Sequence, residues 1–327
     1  MSNLKYNPLV TIIIPVYNGT NFMAEAIDSA IAQTYKNIEI IVVNDGSTDG
    51  GETEKLALSY GDRIRYISKE NGGVSSALNL ALQNAKGEWF SWLSHDDLYY
   101  PNKIEVQIAF INGLIDQNPS IDLHKIALHS ATVSIDKNGR TIKKPNYKNV
   151  DLVENPKKVI IDNIFDYKLS GCSFLVPVNS FNEIGGFRED IRTVSDVEYW
   201  YRLIFDGYQF FCLKNDRLVK NRSHGKQVGK TKVELFNTEL SNLYIDIFDN
   251  FMSVFNPSIK DIKSFYYGMV KRRLKSVAKH IKKNVLKGKI SKFSYNISLP
   301  FCAFYWSLLG DIRSAIRFFY RLLFVRK

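Results

Sequence analysis

Two adjacent carboxylates, Asp96 and Asp97, follow an apolar run in the stretch FSWLSHDDLYYP. Carboxylates this close repel each other and lose solvation if buried, so they need a partner. A divalent cation such as Mg²⁺ or Mn²⁺ takes oxygen ligands and is commonly shared with substrate phosphates. A solvated loop, or Asp97 capping the helix beyond Pro101, answers the same need. Asp45 lies in VVNDGSTD, where a strand-end carboxylate followed by Gly and Ser can read a base or ribose edge, or make an ordinary turn. Asp196 and Glu198 lie in SDVEYWYRL. They read as a general base opening into a cleft, or as acids favoured by a helix start. His224 in NRSHGKQ is a candidate ligand or a surface loop residue. The glycines of NGGVSSALN stand just before a helix whose free N–H groups can face an anion. The G-x-G-x-x-G and P-loop spacings are absent.

The elements that must position these residues alternate regularly. VTIIIPVYN reads as a buried strand and FMAEAIDSAIAQT as a helix. IEIIVVND, IRYISKE and WFSWLSHDD read as further strands, separated by the helices ETEKLALSYG and GGVSSALNLALQNA. Short connections between alternating elements predict an α/β domain with a largely parallel sheet. Ligands of such sheets bind beyond the carboxyl ends of the strands, where Asn18, Asp45 and Asp96 all fall. A helix after Pro101, two strands about Asn138-Gly139, a strand–helix–Gly-Gly segment, the Asp196 helix and an extended run to His224 complete the expected domain.

The chain has 327 residues and a net charge of +11. From Lys271 onward there are fifteen Lys or Arg against one acid, so that segment carries +14 and the remainder −3. Apolar residues recur with helical spacing at Ile262, Tyr266, Met269, Val270, Leu274, Val277, Ile281 and Val285, and again at Ile312, Ile316, Phe319 and Leu323. Basic amphipathic helices suit an anionic membrane surface; packing of the apolar faces on the protein or on a second subunit is the other reading. The tail has no nucleic-acid motif and its aromatics sit on apolar faces, so no nucleic-acid partner is expected. No signal-peptide layout opens the sequence, and the apolar stretch Ile297–Gly310 is too short to span a bilayer. The expectation is a cytoplasmic protein, peripheral at the inner face of the membrane. Cys172, Cys212 and Cys302 show neither disulfide nor zinc spacing and read as buried thiols.

Taken in order, VTIIIPVYNG, IEIIVVNDGSTD, ENGGVSSALNLALQNAKGEW, WLSHDDLYYPNKIE, GGFRED, SDVEYWYRL and RSHGKQ resemble the inverting family 2 glycosyltransferases of bacterial polysaccharide synthesis. The resemblance covers roughly residues 8 to 231. It implies a GT-A fold over residues 1–229, followed by a helical, basic region over 230–327. It implies a nucleotide-sugar donor, UDP foremost, a divalent cation, and a glycan or lipid-linked acceptor. By this likeness Pro15, Val16, Tyr17 and Asn18 line the nucleotide site, Asp45 accepts from the base, and Gly73 and Ser76 lie near the nucleoside. Asp96 matches the principal metal carboxylate and nucleotide contact, Asp97 its neighbour, and His224 a histidine near metal or diphosphate. Asp196 matches the catalytic base. The sequence departs from the family pattern at Ser94, Leu78 and Ser195, which stand where Asp, Arg and Glu are frequent. His95 or Ser94 is then expected to share the ribose or metal contact, with Glu198 as a further accessory acid. A sugar-phosphate nucleotidyltransferase would need a Gly-rich loop with Arg and a catalytic Lys, which PVYNGTNF lacks. A non-catalytic nucleotide- or membrane-binding member of the fold is the alternative.

Overall fold

The structure is a computed structural model that describes residues 5–143, 153, 155–166, 169–272 and 274–284. In chain order its strands and α-helices begin β1 Val10–Val16, α1 Met23–Ile31, β2 Ile38–Asp45, α2 Glu52–Leu58, β3 Arg65–Lys69, α3 Val74–Asn84, β4 Trp89–Trp92, β5 Leu98–Tyr99 and α4 Lys103–Gln117. They continue β6 Ile126–Ile135, β7 Thr141–Lys143, α5 Pro156–Asp166, β8 Val176–Pro177, α6 Ser180–Glu183, α7 Ser195–Phe205 and β9 Gln209–Arg222. Four helices end the described part: α8 Val228–Thr231, α9 Val233–Phe255, α10 Ile259–Lys271 and α11 Lys275–Asn284.

The chain divides into two compact units. The first takes residues 1–156 and 168–239, and is built on a sheet of order β3-β2-β1-β4-β8. β3, β2, β1 and β4 run parallel, and the short β8 closes the edge antiparallel to β4. Every residue of β1 is buried, which accounts for its unbroken apolar run rather than an alternation. With α1 and α4 it forms the core, around Ile12, Ile14, Ala26, Ile27, Ile104 and Ile108. The expected α/β architecture is therefore present, with the strand ends aligned at one edge of the sheet.

A second sheet, β5-β9-β6-β7, was not expected from the alternation of elements. β4 ends at Trp92, so Asp96 and Asp97 lie beyond it in a turn and not on the strand itself. The chain then enters β5, which pairs antiparallel with the end of β9. That pairing brings the residues around 222 beside the carboxylate turn.

The second unit takes residues 157–167 and 240–327. In it α9 buries Leu243, Tyr244, Ile247, Phe248 and Phe251. The Phe265 ring of α10 packs 5.3 Å from Phe248 and 5.7 Å from Phe251, centroid to centroid. Ser258 and Asp261 close a reciprocal capping box at the start of α10. Ile262, Met269, Leu274, Val277 and Ile281, all on the expected apolar stripe, are buried in protein. Arg272 donates to the Asn163 carbonyl (2.9 Å) and to that of Ile164. Val285 and the Ile312–Leu323 stripe lie outside the described residues.

Candidate active site

Three strand-end loops meet at the carboxyl edge of the parallel sheet. After β1, Asn18 adopts a left-handed conformation (φ 49°), which Asn tolerates better than most residues. Its backbone N–H donates to Ser47 Oγ (2.9 Å), and its side-chain oxygen accepts from Thr48 N (2.8 Å). Tyr17 OH lies 3.3 Å from Thr48 Oγ1. Tyr17 and Asn18 are exposed, whereas Pro15 and Val16 are buried inside β1. The latter two can offer a ligand only backbone.

At the end of β2, Asp45 is 4% exposed. Its Oδ1 accepts from Lys69 Nζ and from Gly72 N, both at 2.9 Å, and its Oδ2 accepts from Gly73 N at 2.7 Å. Asn71 Nδ2 donates to the Asp45 carbonyl at 2.8 Å. A carboxylate has about four acceptor sites; the one left over is on Oδ2. Gly73 has φ 90°, a conformation that favours glycine, and it leads directly into α3. Ser76 lies half-buried in the first turn of that helix, and Leu78 is fully buried.

Beyond β4 the two adjacent carboxylates separate. Asp96 Oδ2 faces His224 Nε2 at 2.9 Å and Gln227 Nε2 at 3.5 Å. Asp97 turns inward and is 7% exposed. Its Oδ1 accepts from Arg222 N (2.7 Å), and its Oδ2 accepts from Cys172 Sγ (3.2 Å). Burial, and then the charge of Asp96, push the Asp97 carboxyl upward. Each oxygen of Asp97 thus accepts one hydrogen bond from the protein and keeps a further acceptor site. His95, whose ring edge lies 3.2 Å from where a Gly19 Cβ would stand, is pushed down by burial, while Asp96 acts in the opposite sense.

Arg222 holds this arrangement together. Besides its backbone contact with Asp97, its Nε donates to the Asp96 carbonyl (2.8 Å) and its Nη1 to the Lys137 carbonyl (2.9 Å). Its Nη2 reaches Glu25 Oε2 (2.7 Å), and its guanidinium lies 4.4 Å from the Phe22 ring centroid. Arg222, Cys172 and Lys69 are parts of the site to which no sequence motif assigns a role. Residue type alone does not reveal them, since their contacts are made across 24 to 197 residues of chain.

Asp196 is the second residue of α7. Ser195 is the first and makes no cap; Val194 occupies the cap position. The Asp196 carboxylate accepts from its own N–H and that of Val197, and burial, outweighing these, raises it to about 6. Its Oδ2 stands 3.1 Å from where a Gly171 Cβ would be, across from the Trp92 ring of β4. Glu198 does not join it. Its carboxylate is held by Arg202 at 2.7 and 3.0 Å, and the same guanidinium binds the carbonyls of Ile184 and Gly186. Glu198 therefore steadies the Gly-Gly turn.

Asp96 and His224 present one oxygen and one nitrogen ligand side by side. Mg²⁺ and Mn²⁺ commonly take one or two protein ligands and complete their shell with phosphate oxygens and water. The pair fits such an ion. Among the described residues no group of three or more His, Cys, Asp or Glu side chains gathers as a fuller ligand set.

A parallel sheet with carboxylates at its carboxyl edge is the layout of a GT-A glycosyltransferase. Two solved structures share this fold. S. aureus TarS residues 1–349, in complex with UDP, has a TM-score of 0.58 at 18% identity over 80% of this chain and 70% of that one. The mannosyltransferase PcManGT of Pyrobaculum calidifontis, in complex with GDP-Man and Mn²⁺, has a TM-score of 0.54 at 16% identity over 99% and 89%. The chain belongs to glycosyl transferase family 2, whose model matches residues 11–167. An uncharacterised glycosyltransferase of Rickettsia prowazekii is 39% identical to it, over 95% of this chain and 92% of that protein. The chain spans only 33% and 38% of two longer relatives, from R. bellii and R. felis, with which it is 46% identical.

Proposed function

We propose that the chain moves a sugar from a nucleotide-sugar, with UDP as the nucleotide, to a hydroxyl of a glycan or lipid-linked acceptor, inverting the anomeric carbon. The observation that carries this reading is Asp196, a carboxylate raised to about 6 by burial and set against Gly171 and Trp92 on the strand leading to Asp96. A base with this value is mostly ionised at neutral pH yet still takes a proton readily. Asp196 accepts the proton of the acceptor hydroxyl, whose oxygen bonds to the anomeric carbon as the bond to the β-phosphate oxygen breaks. UDP leaves with the electron pair of that bond, and one displacement inverts the centre.

Asp45, through its remaining acceptor site, takes a hydrogen bond from the base. Tyr17 and Asn18 border the nucleoside with their side chains, Pro15 and Val16 with backbone, and Gly73 and Ser76 close the other side. Asp96 and His224 would hold Mn²⁺ or Mg²⁺, with Asp97 and His95 beside them. When bound, the cation supplies positive charge to offset that of the departing diphosphate. The UDP and Mn²⁺ complexes of the two structural neighbours support this reading of donor and metal.

Calorimetry tests it, titrating UDP, GDP and dTDP into wild type and Asp96→Ala with and without Mn²⁺. The expected result is UDP binding that needs Mn²⁺ and is lost in Asp96→Ala. Absence of binding by any of the three nucleotides to folded wild type would overturn the reading in favour of a non-catalytic protein.

The tail reading changes emphasis. In α10 and α11 most of the apolar stripe is buried, leaving Lys275, Lys279 and Lys282 exposed. Among the described residues no helix is long and apolar enough to cross a membrane. We propose a peripheral, charge-driven contact with the cytoplasmic leaflet, with ~1 kcal/mol from each lysine near an anionic surface. Replacing all three by Glu should weaken binding to phosphatidylserine vesicles at least tenfold; unchanged binding would leave these helices a packing role only.

A further inference from the structure

The short turn Gly171–Ser173 touches groups that the sequence keeps far apart. Gly171 packs without a side chain against the Asp196 carboxylate and the Trp92 ring; a Cβ there would stand 3.1 Å from Asp196 Oδ2 and 3.0 Å from Trp92 Cζ3. Cys172 donates to Asp97 and accepts from Ser94 N at 3.2 Å. Ser173 and Phe174 turn their carbonyls to the protein interior, where Gln107 Nε2 (3.1 Å) and Ser91 Oγ (2.6 Å) donate to them. Consecutive residues thus touch both the candidate base and the carboxylate turn.

Beneath this turn lies Lys103, fully buried. Its ammonium donates to Ser91 Oγ (2.7 Å), Gln107 Oε1 (2.9 Å) and the Phe174 carbonyl (3.3 Å), all neutral. It also lies 4.4 Å from the Tyr99 ring centroid. Among the described residues no carboxylate is within ion-pair reach of it. Burial pushes the Lys103 amine down to about 7, so neutral hydrogen-bond partners rather than a counter-ion hold it. A methionine would fill the same space but leave the buried Gln107 Oε1 without this donor, so the polar contacts, and not volume alone, define what Lys103 does. Ser91 Oγ also lies 2.7 Å from Tyr99 OH, whose single proton serves either it or the Trp92 carbonyl (2.6 Å) at the end of β4. The network ties the strand end to the turn.

We propose that Lys103 is a positioning residue, which acts through the Gly171–Phe174 backbone to set Asp196 against the Asp96 end of β4. This rests on the reading of Asp196 as the base.

The test follows the Asp196 titration by carboxyl-carbon NMR, with Asp196→Asn assigning the signal, in wild type, Gly171→Ala and Lys103→Met. Gly171→Ala adds a methyl against the carboxylate and should raise the midpoint by about half a pH unit. Lys103→Met removes the donor to the Phe174 carbonyl, loosens the turn, and should lower it by about as much. A merely structural lysine would lower the thermal midpoint and leave the Asp196 signal in place, and that result would overturn the proposal. If Lys103→Met does not fold, Ser91→Ala breaks the same link, and an unmoved midpoint there overturns it equally. Turnover retained by Asp196→Asn would remove the base assignment while the titrations still decide the positioning.

Discussion

The ends of β2 and β4 each carry a carboxylate, but they are built from different materials. At β2, two backbone amides and Lys69 grip Asp45, all from the 28 residues that follow it in sequence. At β4, side chains from distant loops hold Asp96: His224 faces its oxygen, and Arg222 binds its carbonyl. Backbone amides of a glycine turn hold their direction through the main-chain fold, so the Asp45 end is preformed. The Asp96 end depends instead on side chains from the end of β9 and the loop after it, Arg222 and His224. The Asp45 end is thus held by local backbone, and the Asp96 end by contacts made across the chain.

The sharpest way to break this contrast lies outside both ends, at Asp196. Asp196→Asn should lower turnover roughly 10³-fold while UDP affinity stays within twofold, because neither end is touched. Turnover of the wild type should fall as pH drops through about 6, where Asp196 takes its proton. The stability sign is opposite. With the folded value raised above the unfolded one, the contribution is fully present at low pH and is lost as pH rises through 6. The Asn variant should therefore be more stable at pH 7, by about 2 kcal/mol, in urea unfolding.

Next in size is Arg222→Met, which strips the Asp96 end of its scaffold and removes the donor from the half-buried carbonyl contacts of Asp96 and Lys137 and from Glu25. A loss of about 2–3 kcal/mol is expected in the same assay, together with weakened Mn²⁺-dependent UDP binding. Asp45→Asn sharpens the contrast from the other side. An amide turns N–H donors toward the amides of Gly72 or Gly73, costing about 1–2 kcal/mol, and UDP affinity should fall about tenfold with or without Mn²⁺. An effect seen only with Mn²⁺ would mean that the two ends are not separate. Smallest is Tyr17→Phe, which removes one long, exposed contact to Thr48 and should change stability by less than about 0.5 kcal/mol. A change in UDP affinity there, with stability unmoved, would give the hydroxyl a ligand contact.

The sequence by itself determined the parallel sheet, because strands buried on both faces must be continuous apolar runs, as in VTIIIPV and IEIIVVND. It also determined which residues reach the carboxyl edge, since strand ends and glycine turns are local features: Asn18, Asp45, Gly73 and Asp96 all lie where the alternation of elements puts them. Tertiary structure alone decided what each carboxylate does. Asp96 and Asp97 are chemically identical neighbours, and the return of β9 alongside β5 gives one a histidine and the other an arginine amide, while the Gly171–Ser173 turn adds a thiol to the second. Asp196 and Glu198 share a helix turn, and only the Arg202 contact withdraws Glu198 from the cleft. Likewise the apolar spacing of α10 and α11 is written in the sequence, but that Ile262, Met269, Val277 and Ile281 are buried in protein is decided by packing within the second unit. Local pattern fixes which face a residue lies on; Cys172, Arg222 and His224 reach Asp96 and Asp97 from chain segments 75 to 128 residues away, and that pairing leaves no periodic trace in sequence.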